Sequence, residues 1–289
     1  MMAATGGVMH ESIDAMVKAY SARFGLDQPV WVQLLLYLKN ILSLNLGYSF
    51  RHAMPVTALI LTRLGPTLLL MGSTLVLSIG LGVFLGLLAA TSVNTWRDNV
   101  ISVAAVIAYA TPLFWVGLML ILVFSVKLDW FPTTGMEDVV AFYEGWERVL
   151  DIAHHLVLPT LTLSLFYMAL YTRLMRASML EQRGQDYVVT ARAKGLGERR
   201  IVYRHVLRNA VLPVVTMAGV QVGALLGGSV VVESVFAWPG LGLLAFQSLF
   251  ARDFNLLLGI FLLSACLVVA INLLVDLCYM LLDPRIEAR

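Results

Sequence analysis

Only a few residue patterns in this chain have the types and spacing that chemistry requires. Phosphate-bond chemistry needs a Gly-Lys-Ser/Thr loop to cradle phosphate oxygens, but the lysines Lys18, Lys39, Lys127 and Lys194 follow Val, Leu, Val and Ala. Metal chemistry needs converging ligands, whereas His154 and His155 are adjacent, so their side chains diverge on a helix and no third ligand is near in sequence. Neither a His-Glu-x-x-His helix nor a Gly-x-Ser-x-Gly turn is present, which argues against hydrolase chemistry at membrane depth. Cys266 and Cys278 belong to or border the last apolar run without metal-ligand spacing, and read as small buried hydrophobes rather than a disulfide. The pattern that remains is mechanical rather than catalytic: a basic loop built to be gripped.

That loop spans residues 173–210. The run Gln185, Asp186, Tyr187, Val188, Val189, Thr190, Ala191, Arg192, Ala193, Lys194 suits a short helix, and Gly195 follows as a helix-ending residue would. After Leu196 and Gly197, Glu198 opens a second helical pattern to Asn209, with apolar residues at Ile201, Val202, Val206 and Leu207. Two helices joined by a tight glycine turn form a docking surface. Gly195 permits the bend, Ala191 and Ala193 permit close approach, and Arg192, Lys194 and Arg199 are placed to pair with carboxylates of a partner.

The elements that must carry this loop are membrane helices. Hydrophobic residues make up 60% of the 289 and charged ones 13%, with a mean hydropathy of +0.84, outside the range of soluble domains. A bilayer core about 30 Å thick needs roughly 20 apolar residues per crossing. Five stretches lack Asp, Glu, Lys and Arg: 64–96, 99–126, 156–172, 209–232 and 254–275. They predict an all-α polytopic membrane protein with spans at about 64–92, 100–126, 156–172, 211–232 and 254–276, preceded by a segment, 1–63, in which 31–46 forms an amphipathic helix. Gly82 and Gly86, and again Gly219, Gly223 and Gly227, recur every four residues and predict close helix packing. Pro112 predicts a kink in the second span, and Pro159 opens the first turn of the third.

Charge sets the orientation. Nine of the 20 basic residues fall between Arg173 and Arg208, while 127–155 holds two basic and six acidic residues, so the first loop is expected inside and the second outside. Residues 1–63 then fall outside, and 233–253 with them. A net charge of +2 gives no nucleic-acid partner. A proton- or ion-coupled secondary transporter would place paired ionisable residues within its spans, and these five stretches contain none. Within them Gln221 is the polar side chain deep in the fourth, a candidate for the pathway or an interhelical hydrogen bond, and Trp238, Pro239 and Gly240 form a candidate external gate.

The string TARAKGLGERRIVYRHVLRN at 190–209 resembles the cytoplasmic loop of ABC importer membrane subunits, whose pattern is Glu-Ala-Ala, three residues, Gly, nine residues, Ile, one residue, Leu-Pro. Gly195 takes the glycine, Ala191 the second alanine, His205 the isoleucine position and Leu207 the leucine, without a gap. Val189, Thr190 and Arg208 depart from the pattern in the way of the dipeptide and oligopeptide permease branch. GLDQPVWVQ at 25–33, LGYSFR at 46–51, ESVFAWPGLG at 233–242 and LLDPR at 281–285 point the same way.

The resemblance implies a type I ABC importer-like fold with six spans, one more than is found here. It implies a second homologous permease subunit, two ATPase subunits that bind the ATP and magnesium, an external solute-binding protein, and residence in the bacterial cytoplasmic membrane. The chain itself would bind no cofactor. Its coupling residues would be Thr190, Ala191, Arg192, Ala193, Lys194, Gly195, Leu196, Gly197, Glu198, His205 and Leu207. The implied cargo is a di- or oligopeptide, with glutathione or nickel complexes as the alternative.

Overall fold

The computed structural model describes residues 28–43, 45–49 and 51–282. Two units divide the chain, Met1–Leu59 and Ile60–Arg289. In the first, helix α1 (Val30–Leu42) begins after Pro29, whose ring has already fixed φ near the helical value. A two-residue antiparallel ladder follows, β1 (Tyr48–Ser49) on β2 (Met54–Pro55), with Tyr48 opposite Pro55.

The second unit is helical. Its elements are α2 (Val56–Thr91, starting in the first unit), α3 (Trp96–Ala110), α4 (Leu113–Lys127), α5 (Gly145–Arg183), α6 (Asp186–Ala193), α7 (Glu198–Val235), α8 (Leu241–Ala251) and α9 (Phe254–Leu282). Among the described residues α2, α5, α7 and α9 are long and apolar enough to cross a membrane, and α3 with α4 makes a fifth, broken crossing.

Charge-free stretches locate these helices but understate them. The third span, expected over 156–172, is the apolar middle of a 39-residue helix. Glu147, Arg148 and Asp151 precede that middle and Arg173, Arg176 and Arg183 follow it, all helical, because good helix formers remain so after leaving the hydrocarbon. Pro159 therefore lies inside α5 rather than in its first turn. The expected kink at Pro112 is a full break of 103° between α3 and α4. Proline removes the amide that would continue the ladder and drives the residue before it out of the helical region; Thr111 sits at φ −78°, ψ 131°.

Helix α2 meets α5 along the Gly82 and Gly86 strip. A Cβ on Gly82 would stand 2.5 Å from Tyr171 Cβ, and one on Gly86 would stand 2.7 Å from the Thr172 carbonyl oxygen. The second predicted strip does not act as one. Gly223 leaves ordinary contact with Val268, nothing stands near Gly227, and it is Gly228 that faces Leu163 and Tyr167. Cys266 is exposed rather than buried, since α9 packs on α7 and α8 with one face only; the Asp276 and Cys278 side chains lie outside the described residues. Exposed Val100, Val103, Ile107, Leu258 and Phe261 give the bundle an apolar exterior suited to lipid.

One ion pair ties the basic end together. Arg176 of α5 donates to both carboxylate oxygens of Asp98 on α3, at 2.6 and 2.8 Å, and the Asn94 amide donates to the same group at 3.1 Å. Asp98 is buried, with 3% of its side chain exposed. Nearby, Arg183 donates to the Ala90 carbonyl at 2.8 Å, meeting one of the free carbonyls at the end of α2. Removing one partner of a buried pair strands the other charge, so Arg176→Ala is expected to cost about 3 kcal/mol. A fall in the melting temperature of the detergent-solubilised protein measures it; an unchanged melting curve means the pair contributes nothing.

Candidate functional site

The hairpin α6–α7 stands where the two longest crossing helices, α5 and α7, leave the bundle at the basic end. Its inner face is apolar: Val188, Ala191, Ile201, Val202 and Val206 are all buried. The turn closes α6 with two backbone bonds, Gly195 N to Arg192 O at 2.9 Å and Leu196 N to Ala191 O at 3.2 Å, the latter reaching back five residues. That closure requires a left-handed residue, and Gly195 has φ +77°. Gly197 then caps α7, and residues Ile201–Val206 widen into a π-helical stretch, a feature concentrated at functional sites.

The expected docking residues separate into two groups. Thr190, Arg192, Ala193, Lys194, Gly195, Gly197 and Glu198 are exposed; Leu196, His205 and Leu207 are half-buried. Ala191, expected to admit a partner, faces inward at 7% exposure, because it falls on the same helical face as Val188. Its small size serves the packing of the hairpin on itself. Arg192, expected to reach for a partner carboxylate, closes on Glu198 across the turn at 2.6 and 3.3 Å. The carboxylate lowers its own pKa by accepting these bonds, and the guanidinium's is raised.

The proposed pathway residues are less alike than the sequence suggested. Gln221 is half-buried on α7, with its amide 3.7 Å from Met217 Sδ one turn before. Trp238 is fully buried, its indole N–H donating to the Pro66 carbonyl of α2 at 2.9 Å. An aromatic held on all sides is a fixed wedge, not an interfacial ring. Pro239 lends its carbonyl to Arg63 at 3.5 Å. A Cβ on Gly240 would fall on the Glu233 carboxylate.

Glu233 is the residue that charge-free searching passed over, being the first charge after the fourth stretch. It is fully buried and accepts from Thr67 Oγ1 of α2 at 2.9 Å and from the Leu243 amide in the first turn of α8 at 2.9 Å. Thr67 Oγ1 accepts in turn from the Leu241 amide at 2.7 Å. A carboxylate at a helix start meets both orphan amides and the positive end of the dipole. The segment expected as an external loop over 233–253 thus folds as a short helix locked by Glu233. Its signal was available: an acid beside a long apolar run, followed by Trp-Pro-Gly-Leu-Gly.

His154 and His155 find separate partners, the Trp130 and Asp151 carbonyls at 2.8 and 2.9 Å. Their rings do not converge.

Residues 82–288 match the family described as binding-protein-dependent transport system inner membrane component. The chain belongs to that family. This permease chain is 41% identical over 293 residues to the oligopeptide transport system permease protein AppB of Bacillus subtilis, covering 99% of this chain and 92% of that one. It is 36% identical over 283 residues to the dipeptide transport system permease protein DppB of Escherichia coli, covering 92% and 84%. Among solved structures, the inward-facing MetNI methionine ABC transporter aligns with a TM-score of 0.62 at 18% identity, over 78% of the permease chain and 96% of that chain. An amino acid ABC transporter aligns at a TM-score of 0.55 and 18% identity, over 76% and 92%. The ABC importer permease fold expected from the hairpin motif is therefore the fold of this multi-pass membrane chain.

Proposed function

We propose that this chain is one of two homologous permease subunits forming the translocation pore of an ATP-driven peptide importer in the bacterial cytoplasmic membrane. Di- or oligopeptides reach it from an external solute-binding protein, and two ATPase subunits, which bind the ATP and magnesium, drive it from inside. The relatives' names, oligopeptide and dipeptide permease, favour peptides over glutathione or nickel complexes. The observation that carries the reading is the hairpin: an exposed, glycine-turned surface whose buried face joins it to α7 and which connects the inner ends of α5 and α7.

Such a hairpin works as a lever. Its core residues Val188, Ala191, Ile201, Val202 and Val206 leave no slack between α6 and the start of α7, so displacement of α6 by an ATPase subunit tilts α7 as a body. At its other end α7 is locked through Glu233 to α2 and α8, so the tilt is carried across the membrane to the outer end of the pore. Exchange between an inward-open and an outward-open pore follows from two packings of these rigid helices.

The test is co-purification from membranes containing the whole complex. The tagged chain is expected to bring down ATPase subunits, and Gly195→Val to release most of them with little change in the chain's own melting temperature. A Cβ at Gly195 meets nothing within 4 Å, so the substitution strains φ at an exposed turn, by about 1–2 kcal/mol, without disturbing the core. Labelling of Lys194 from the outer face of sealed cells would overturn the reading.

A further inference from the structure

We infer that the groove lined by Gly197, Arg199, Arg200, Tyr203 and Arg204 seats a carboxylate-rich surface of the ATPase subunit. This contact lies on the first turns of α7, outside α6, and it rests on the docking reading above.

The groove measures about 730 Å³ and three of its five lining residues are arginines within six positions. The chain's other placed arginines are spent internally: Arg148 on Glu137, Arg176 on Asp98, Arg192 on Glu198 and Arg183 on the Ala90 carbonyl. Among the described residues no carboxylate lies within ion-pair distance of Arg199, Arg200 or Arg204, and all three are exposed. The one acid at this turn, Glu198, is held by Arg192. Three guanidiniums gathered round one concavity repel each other, and an anionic surface relieves that repulsion. Planar five-donor forks with an aromatic ring among them, Tyr203 at 53% exposure, fit carboxylates bidentately and present a body for apolar contact.

Depth distinguishes a protein partner from a lipid headgroup. The charge-free stretch of α7 begins near Leu212, and at 1.5 Å per residue Arg204 lies about 12 Å and Arg199 about 20 Å beyond it. The headgroup zone is roughly 5–8 Å deep on each side. The groove therefore stands clear of the phosphates, in the water where a soluble subunit sits. A push delivered here acts on α7 itself rather than through the glycine turn.

The experiment uses the whole complex, extracted from membranes through a tag on this chain, with recovery of ATPase subunits measured at low and high salt. The triple variant R199E/R200E/R204E is expected to lose ATPase subunits at least tenfold even at low salt, and R199K/R200K/R204K to retain most of them at low salt but release them as salt rises. All six side chains project into water, and an unchanged elution profile and melting temperature of the variants shows that the fold is intact. If Gly195→Val releases the ATPase subunits while the triple glutamate variant keeps them, the groove is not a seat and the docking reading survives alone. If the glutamate variant keeps them and instead loses the stabilisation that anionic lipid gives the wild-type complex in nanodiscs, the groove serves lipid and the inference is overturned. If the wild-type chain brings down no ATPase subunit, the docking reading itself fails.

Discussion

Glu233→Ala is expected to unlock the outer end of the bundle and abolish transport while leaving the ATPase subunits attached. The alanine removes the acceptor of the Thr67 hydroxyl and the Leu243 amide, both in a region sealed from water. Each stranded donor costs about 1–3 kcal/mol, and the emptied volume adds to it, so the total loss is about 4 kcal/mol. Helix α8 loses the anion at its first turn, and Trp238 loses the neighbour that fixes its turn. Glu233→Gln keeps the shape and one acceptor oxygen and is expected to lose about half as much, because its amide group must face a donor. The readings are thermal unfolding of the purified complex and peptide uptake by proteoliposomes. Full uptake by the alanine variant would show that α8 needs no lock.

Gly86→Val is expected to have an effect of similar size at the other end of α2. Overpacking a core costs about 1–3 kcal/mol when side chains can yield. Here the obstacle is backbone: the Thr172 carbonyl oxygen and Met175 Cβ would both lie under 3 Å from a bare Cβ, so α2 and α5 must separate. Separation pulls on Tyr171, Thr172 and Met175, which are all buried on α5. The cost lies at or above the top of that range, and loss of folded protein from the membrane fraction, with a lowered melting temperature for what remains, measures it. Gly227→Val is the control. Its Cβ meets nothing within 4 Å, so it should leave stability unchanged in the isolated chain. Equal damage from both substitutions would refute the packing argument.

The contrast between those glycines marks where local pattern stops being informative. Spacing of four put Gly82 and Gly86 on one face, and Gly223 and Gly227 likewise, but a strip is smooth whether or not a neighbour lies on it. Which strip is used depends on where α5 crosses, and no residue within either strip records that.

The chain's membrane class, the positions of its crossing helices, the break at Pro112 and the glycine-turned hairpin were determined by sequence alone. Each follows from short-range physics: apolar length against bilayer thickness, the missing amide of proline, the freedom of glycine at φ +77°. The resemblance of 190–209 to importer loops worked for the same reason, since the hairpin is a local object whose bends and caps are written in consecutive residues.

What only the tertiary structure decided is which polar groups meet across the fold. Asp98 and Arg176 are 78 positions apart and Thr67 and Glu233 are 166 apart. Arg192 turned inward to Glu198 rather than outward, Ala191 packed into the hairpin, and Trp238 became a buried wedge. In a membrane bundle the apolar faces are nearly interchangeable, so hydrophobic pattern carries little information on which helix packs on which. The pairing is fixed by the few places where backbone must touch backbone or a buried charge must find its donors, and those places become visible only once the helices are set side by side.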